Sequence, residues 1–264
     1  MRISVGMLAY NASPLIEAAI RSVYAFADEI IVVDGSAHGP STDNTLALAT
    51  GVGSKVHAVS GTFVKPNGSW DEKGQRQTYI DMMKKGSDCW CLVHDSDEIF
   101  GRPQLLLLLE KLFTASPDTM LISYPFIHFW KNIHQVRVDG PWSAPRGVGT
   151  FRLTPGVRML TFDLVGEREK EGWQLQKAPV RINCTDVFAY HYGHAMTRER
   201  ILFKIRETFL AGYYTGWEGR SVEEFMTEYG NNVFDIGPDN NSRLELFTGN
   251  HPADVLPLIG TYFK

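Results

Sequence analysis

Three carboxylates within four residues, directly after a short apolar run, are the side chains of this 264-residue chain best placed to do chemistry. The run, residues 89–93, reads Cys-Trp-Cys-Leu-Val, and the acids are Asp95, Asp97 and Glu98. Its length and its aromatic and β-branched members predict a strand that is buried on both faces. The acids then lie at the carboxyl end of that strand, the edge where open α/β sheets bind ligands. An Asp-x-Asp pair there offers the oxygen donors that a hard divalent cation requires, and a solvated acidic turn is the alternative.

A fourth acid, Asp34, follows another apolar run. Residues 29–33 read Glu-Ile-Ile-Val-Val and predict a second buried strand, which leads directly into Asp34 and Gly35. Because parallel strands end at one edge of a sheet, we expect Asp34 at the same edge as the Asp-x-Asp pair. An ordinary strand-end turn is the alternative, since Asp-Gly is a common turn pair.

The elements around these acids alternate between strand and helix. Residues 2–10 predict the first strand, Ser13 and Pro14 the N-cap and first residue of a helix, residues 41–45 the start of a second helix, and residues 55–59 a third strand. This alternation predicts a mostly parallel sheet with helices on both faces. The first strand is followed by neither a Gly-x-Gly-x-x-Gly nor a Walker-type lysine loop, which counts against dinucleotide oxidoreduction and P-loop chemistry.

A further helix, residues 71–85, contains a charged residue on its apolar face. Arg76, Tyr79, Ile80 and Met83 recur at helical spacing and therefore share the inward face. Arg76 is near the amino end of the helix, where the helix meets the ligand edge, so its guanidinium could contact a phosphate or a nucleobase carbonyl. A snorkelling arginine on the helix flank is the alternative.

These segments, in this order, resemble family 2 glycosyltransferases. Residues 32–36 with 41–45 are similar to the family's nucleotide-binding segment, Val-Val-Asp-Gly-Gly-Ser-Thr-Asp-Gly-Thr, interrupted here by an insertion at 37–40. Residues 74–77 resemble its Arg-Asn helix start, and residues 92–98 resemble its Leu-Asp-Ala-Asp-Glu metal motif. Residues 191–194, His-Tyr-Gly-His, resemble a late His-Tyr element. The resemblance covers residues 2–115 well and the remainder thinly.

The resemblance implies a GT-A fold, an α/β nucleotide-binding sheet that is mostly parallel, with a smaller irregular acceptor-side region. It implies that residues 1–115 form the nucleotide-sugar-binding half and residues 116–264 the acceptor-binding half of one domain. The implied activity is metal-dependent transfer of a sugar from a nucleoside-diphosphate sugar, of which a UDP-sugar is the favoured donor. The acceptor is a hydroxyl of a glycan, a lipid-linked glycan or another molecule, and the implied mechanism is an inverting single displacement.

The resemblance also implies roles for particular residues. Asp34 would contact the base, Asp95 the ribose or the metal, and Arg76 the base or a phosphate. Asp97 would coordinate Mn²⁺ or Mg²⁺ on the diphosphate, a role that suits carboxylates better than thiolates. His191 resembles a late histidine that joins this metal site in some members, and Tyr10 belongs to the nucleotide-sugar-binding set. The insertion leaves open whether Asp43 contacts the ligand or caps its helix.

The second half is less regular. Residues 120–130 predict one long aromatic-rich strand, and residues 136–139, 149–153 and 157–160 predict further strands. The tryptophans of this half could stack on sugars or pack in the core: they are Trp130, Trp142 and Trp173.

Family members place a catalytic carboxylate after these strands. Glu167 is the first candidate for the general base, with Asp163 and Glu169 behind it, and a solvated charged loop is the alternative. Thr197 is predicted to cap a basic helix that extends to residue 213 and could hold diphosphate, an acceptor or an anionic lipid.

Composition narrows the class of protein. A net charge of −4 argues against a general nucleic-acid binder. The three cysteines show no metal-type pairing, and we interpret them as reduced thiols of a cytoplasmic protein. The sequence predicts neither a signal peptide nor a transmembrane segment, because no apolar run approaches the ~20 residues that a bilayer requires, although peripheral membrane contact stays open.

Three other functions compete with glycosyl transfer. A sugar-nucleotide nucleotidyltransferase should have a glycine-rich, arginine-containing loop after the first strand, where this chain has Tyr-Asn-Ala-Ser-Pro at residues 10–14. A non-catalytic nucleotide- or glycan-binding protein would not need Asp34, Arg76, Asp95 and Asp97 together. A metal hydrolase based on His191 and His194 would have a poor zinc site, because these two histidines lack helical ligand spacing.

Overall fold

A computed structural model describes residues 1–139, 149–161, 164–167, 180–210, 219–230 and 243–263. Its helices and strands follow in chain order: β1 (Arg2–Ala9), α1 (Ile16–Tyr24), β2 (Glu29–Ser36), α2 (Thr45–Gly51), β3 (Val56–Thr62), α3 (Glu72–Met82), β4 (Cys89–Val93), β5 (Glu98–Ile99), α4 (Arg102–Thr114), β6 (Thr119–Ser123), β7 (Phe126–Trp130), β8 (Asn132–Arg137), β9 (Thr150–Arg152), β10 (Val157–Thr161), β11 (Leu164–Glu167), β12 (Val180–Asn183), β13 (Ala189–His194), α5 (Arg198–Leu210), α6 (Val222–Phe225) and β14 (Leu244–Leu246). A π-helical turn (Met226–Gly230) follows α6, and a 3-10 helix (Ala253–Leu258) precedes the carboxyl end.

A seven-stranded sheet forms the centre, in the order β12-β6-β9-β4-β1-β2-β3. The pairs β4–β1, β1–β2, β2–β3 and β12–β6 are parallel, whereas β9 is antiparallel to both β4 and β6. The predicted α/β fold with a mostly parallel sheet is therefore confirmed. Strands β6, β9 and β12, all from the second half of the chain, join this sheet, and the division at residue 115 stays a prediction.

Alternate residues of the central strands point to opposite faces of this sheet. In β2, Ile30 and Val32 belong to the buried cluster that contains the apolar residues of α1 and α4, whereas Ile31 and Val33 belong to the cluster that contains Tyr79 and Ile80 of α3. Burying one such side chain stabilises the fold by about 1.5–3 kcal/mol, so strands that are apolar at every position lie between two helical layers. Helices therefore cover both faces, as predicted.

A second sheet of five strands, in the order β14-β8-β7-β13-β5, begins where the acidic turn ends. Strand β4 belongs to the large sheet, and β5, which starts at Glu98, pairs antiparallel with β13 of the smaller one. Residues 94–97 are therefore the passage between the two sheets. The acidic turn lies at their junction.

Two sequence-based predictions of element boundaries are wrong. Helix α1 begins at Ile16 and not at Pro14, and the residues before it form a turn in which the Leu15 and Ile16 N–H groups both donate to the Ala12 carbonyl at 3.0 Å. The long strand at 120–130 is two strands, β6 and β7, in different sheets. Pro125 lies between them, and proline has no N–H with which to continue a ladder.

The remaining predicted strands of the second half are present with shifted bounds, as β8, β9 and β10. Thr197 precedes α5 as expected, and its hydroxyl accepts a long hydrogen bond from the Arg200 N–H at 3.4 Å. Within the residues that the structure describes, none of the helices combines the length and the apolar composition needed to cross a membrane.

Candidate functional site

Asp95, just past β4, is fixed by a bidentate ion pair with Arg76 of α3. The two terminal nitrogens of Arg76 each donate to one oxygen of Asp95 at 3.1 Å, and its Nε donates to Glu72 at 2.9 Å. Burial disfavours the guanidinium charge, but the two acids keep the pKa of Arg76 well above its usual range. Bidentate pairs of this kind are strong and directional, so Arg76 sets the orientation of Asp95.

Asp97, two residues further on, is paired with groups from the smaller sheet and α5. Nζ of Lys204 donates to Oδ2 at 2.7 Å, and Nε2 of His191 lies 3.6 Å from Oδ1. Burial acts to raise the pKa of Asp97, but the Lys204 ammonium, with a smaller contribution from His191, outweighs burial and lowers it to about 2. Asp97 is therefore ionised at neutral pH.

His191 faces a second histidine across the smaller sheet. Strands β13 and β7 are parallel neighbours with His191 opposite His128, and the two Nδ1 atoms are 3.1 Å apart. For these atoms to share a hydrogen bond, one ring must be protonated at Nδ1 and the other not. His191 is the third residue of β13, and the strand continues to His194.

His194 and Trp130 have packing roles. Their rings stack at 4.3 Å between centroids, and Arg137 lies 4.8 Å from the Trp130 ring. Burial, with Lys204 adding to it, lowers the pKa of His194 well below its usual range. Trp130 is 3% exposed and therefore packs in the core, which was one of the two alternatives; Trp142 and Trp173 lie outside the described residues.

Asp34 lies at the same edge of the large sheet, as expected, but it is completely buried. Its Oδ2 accepts from the Ser41 N–H at 2.9 Å, and its Oδ1 accepts from the Ser41 hydroxyl. Burial raises the pKa of Asp34, and the two bonds from Ser41 offset part of that rise. Gly35 has φ +145°, and a Cβ there would collide with the Gly61 carbonyl oxygen of β3. Asp34 thus anchors the loop at 41–45 above the end of β2.

The same loop is tied to the end of β1. Asn11, which has φ 47°, accepts from the Thr42 N–H at 2.9 Å and donates its own N–H to Ser41 at 2.7 Å. Asp43 accepts from the Thr45 N–H at 3.0 Å and from the Ser13 N–H at 3.1 Å. These are the contacts of a residue that caps α2 and joins two loops.

Tyr10 lies at the rim of this edge. Its hydroxyl is 3.5 Å from Glu207 of α5, and His38 of the insertion lies 3.9 Å from the same carboxylate. The ends of β1 and β2 are thereby brought next to α5.

Two buried polar residues support the acids: Gln75, which the sequence analysis did not single out, and Glu98, the third acid of the turn. Gln75 donates to the carbonyls of Val33 and Gly35 at 2.9 and 3.1 Å, which joins α3 to the end of β2. Glu98 accepts from the Asp95 N–H at 2.9 Å and closes the acidic turn. Gln75 lies within the Arg76 segment that the sequence analysis compared with the family, so its position next to Arg76 was the available signal.

The candidates for the general base are described least. Glu167 ends β11, where the backbone pairs in register with Val157 of β10. Asp163 and Glu169 lie outside the described residues. The prediction that one of these carboxylates is the base stays a prediction.

The carboxylate and imidazole beside each other at Asp97 and His191 are suitable ligands for Mn²⁺, and the carboxylate alone suits Mg²⁺. Among the described residues, no group of three or more His, Cys, Asp or Glu side chains forms a preformed cage. A cation bound here would therefore take one or two protein ligands and complete its shell with ligand or water oxygens, which is how Mg²⁺ binds beside phosphates. The residues fit a divalent cation of that kind.

No family model matches the chain. A protein of Rickettsia bellii (strain RML369-C), named an uncharacterized glycosyltransferase, is 31% identical over 144 residues, which are 54% of this chain and 44% of that protein. The chain therefore spans less than half the length of this curated relative. The relative supports the resemblance to glycosyltransferases that the sequence motifs predict.

Two solved structures of glucosyl-3-phosphoglycerate synthase from Mycobacterium tuberculosis are also similar. One is in complex with Mn²⁺, UDP and phosphoglyceric acid, and the other with Mg²⁺ and UDP. Each is 26% identical, and the match covers 47% of this chain and 43% of theirs with a TM-score of 0.36. A TM-score of this size carries no argument about the fold or the site.

Proposed function

We propose that this protein is a GT-A-type glycosyltransferase of family 2 that transfers a sugar from a nucleoside-diphosphate sugar to an acceptor hydroxyl. The observation that carries the proposal is the Asp-x-Asp turn at the carboxyl end of buried β4, with Asp34 at the same edge of the sheet. The name of the Rickettsia bellii relative agrees with this class of activity.

The donor is a nucleotide sugar, for which we favour a UDP-sugar. We assign the nucleobase of the donor to the edge formed by Tyr10, Asp34 and the loop at 41–45, where three chain segments meet. Because Asp34 is buried under Ser41, its contribution includes holding this loop in place. Asp95, oriented by Arg76, is assigned to the ribose hydroxyls, because a fixed carboxylate can accept hydrogen bonds from them.

Mn²⁺ or Mg²⁺ is assigned to Asp97, with His191 as a second ligand for Mn²⁺. A divalent cation bound there stabilises the negative charge that develops on the leaving diphosphate. Asp97 suits this role because it is ionised at neutral pH. His128 can fix the ring of His191 in the tautomer whose Nε2 is unprotonated, provided that His191 donates from Nδ1.

The transfer step is a single displacement with inversion. A carboxylate, Glu167 or Asp163, accepts the proton of the acceptor hydroxyl while that oxygen attacks the anomeric carbon from the face opposite the diphosphate. The acceptor is a glycan, a lipid-linked glycan or another hydroxyl compound. Arg198 and Arg206 are exposed on α5 and suit an anionic acceptor or peripheral contact with anionic lipid. The three free, buried cysteines suit a cytoplasmic location.

The test is a thermal-shift screen of UDP, GDP and ADP with and without Mn²⁺, followed by incubation with the sugar nucleotides of the preferred base. A ligand specific for the native state raises the melting temperature with the logarithm of its excess over Kd. We expect stabilisation by one nucleotide that is larger with Mn²⁺, and then release of nucleoside diphosphate. Release of pyrophosphate would instead identify a nucleotidyltransferase, and stabilisation without turnover for any donor and acceptor would favour a binding protein.

A further inference from the structure

We infer that Lys204 is a resident cation on Asp97 that a divalent metal ion displaces, and that the displaced ammonium then binds the donor's diphosphate. The inference rests on the proposed function, since it assumes that Asp97 binds the metal. It assigns a role to a residue of α5 that neither the motifs nor the comparisons mark.

The first step is a conflict of space and charge at one carboxylate. Nζ of Lys204 is 2.7 Å from Oδ2 of Asp97, whose side chain is only 15% exposed, and His191 faces the other oxygen. A divalent ion binds carboxylate oxygens at about 2.0–2.2 Å. Its two charges would lie within a few ångströms of the ammonium in a poorly solvated site. Metal binding therefore breaks the Lys204–Asp97 pair.

The second step is that this pair can open, unlike the pair two residues earlier. The Lys204 side chain is 38% exposed, and its flexible four-carbon stem lets the ammonium move away from Asp97 into solvent. Arg76 is 3% exposed and bonds two carboxylates at once, so Asp95 has a permanent partner. Of the two acids in the Asp-x-Asp turn, Asp97 is the one whose cation can be exchanged.

The third step is that the site is shaped around this pair. A Cβ on Gly193 would lie 2.7 Å from Nζ of Lys204 and 2.8 Å from Cε1 of His191, and closer still to Oδ2 of Asp97. Only glycine fits at position 193, because the Lys204–Asp97 ion pair and the His191 ring occupy the space of a side chain there. The next turn of α5 reaches the rim of the nucleotide edge, where Glu207 meets Tyr10. A displaced Lys204 thus lies between the metal position and that edge, where the diphosphate of a donor would be.

The experiment compares Lys204→Met with Lys204→Arg and with Lys111→Met as a matched control. Lys111 is also a half-exposed lysine, 2.8 Å from Asp186 and away from the acidic turn. Mn²⁺ affinity is measured without nucleotide, from the electron paramagnetic resonance signal of free Mn²⁺. UDP affinity is then measured by calorimetry at saturating Mn²⁺.

We expect Lys204→Met to bind Mn²⁺ about three- to tenfold more tightly, because no ammonium competes, and UDP about three- to tenfold more weakly. Lys204→Arg should bind UDP about as tightly as the wild type, because it keeps a cation for the diphosphate, and Lys111→Met should change neither affinity. Opposite changes for metal and nucleotide are not expected of a residue that only supports the fold. If Lys204→Met is poorly folded, Lys204→Gln carries the same expectation.

The outcomes separate this inference from the proposed function. If Asp97→Asn abolishes Mn²⁺ binding but Lys204→Met binds Mn²⁺ no more tightly than the wild type, the displacement is wrong and the metal site stands. If Lys204→Met binds Mn²⁺ more tightly and UDP equally well, the role at the diphosphate is wrong. If Asp97→Asn binds Mn²⁺ as well as the wild type, the metal assignment fails and the inference fails with it.

Discussion

Arg76→Met should destabilise the protein far more than the loss of an ordinary helical ion pair. Arg76 makes the same i,i+4 contact with Glu72 that Arg21 makes with Glu17, since in both pairs Nε and a terminal nitrogen reach one carboxylate oxygen. The difference is that Arg76 is buried and also holds Asp95. The substitution therefore removes one charge and leaves two acids without it.

The expected loss in the free energy of unfolding depends on how deeply the ion pair is buried. Removing one partner of a buried ion pair costs about 3–5 kcal/mol, because the other charge stays desolvated. The side chains of Asp95 and Glu72 are 22% and 16% exposed, so water can partly solvate the released acids. We therefore expect the low end of the range, about 3 kcal/mol. Arg21 is 51% exposed, and its loss should cost only about 0.3–0.5 kcal/mol.

Equilibrium urea denaturation of the wild type, Arg76→Met and Arg21→Met measures this difference. With a slope of about 3 kcal/mol per molar urea, the Arg76→Met midpoint should fall by about 1 M, while the Arg21→Met midpoint should barely move. Adding Asp95→Asn to Arg76→Met should restore part of the loss, because one unpaired charge is then removed. Equal midpoints for the two arginine variants would refute the reasoning that Asp95 depends on Arg76.

Three further predictions concern the other acids. In metal-free protein the pKa of Asp97, about 2 against an ordinary 3.8, stabilises the fold above pH 3.8, and this contribution disappears as pH falls towards 2. Asp97→Asn should thus lose about 2 kcal/mol in urea titrations near neutral pH, and most of that loss should be absent at about pH 2. Ser41→Ala should weaken UDP binding without metal as Asp34→Asn does, because both release the loop at 41–45; unchanged calorimetric affinity would leave Asp34 a structural residue. Glu167→Gln should keep UDP affinity but slow transfer by ~10²–10⁴, and the same pattern in Asp163→Asn alone would relocate the base by four residues.

The parts of the site that the sequence predicts are those set by local patterns. An unbroken apolar run identified β4 and placed Asp95 and Asp97 at its end, because a strand buried on both faces needs apolar residues at every position. Helical spacing placed Arg76 on the inward face of α3, where it lies. The break between β6 and β7 was available as well, since Pro125 stands inside the apolar stretch.

The partners of these acids could not be predicted, because they are distant in sequence. Lys204 is 107 residues from Asp97, and His128 is 63 residues from His191. These contacts depend on how β13 pairs with β7 and β5, and apolar periodicity does not determine which strands pair or in which register. The sequence predicted a basic helix at α5 and did not indicate which of its cations faces the turn.

The position of the acidic turn between two sheets has a consequence for how such a site can change over evolution. Asp95 is supported from the large sheet through Arg76 and α3, whereas Asp97 is supported from β13 and α5. Only Ser96 separates Asp95 from Asp97 in the chain. Substitutions in β13 or α5 can therefore move the Asp97 side chain while Arg76 still holds the Asp95 side chain. A lineage can therefore change the surroundings of Asp97 step by step while it inherits the Arg76–Asp95 pair unchanged.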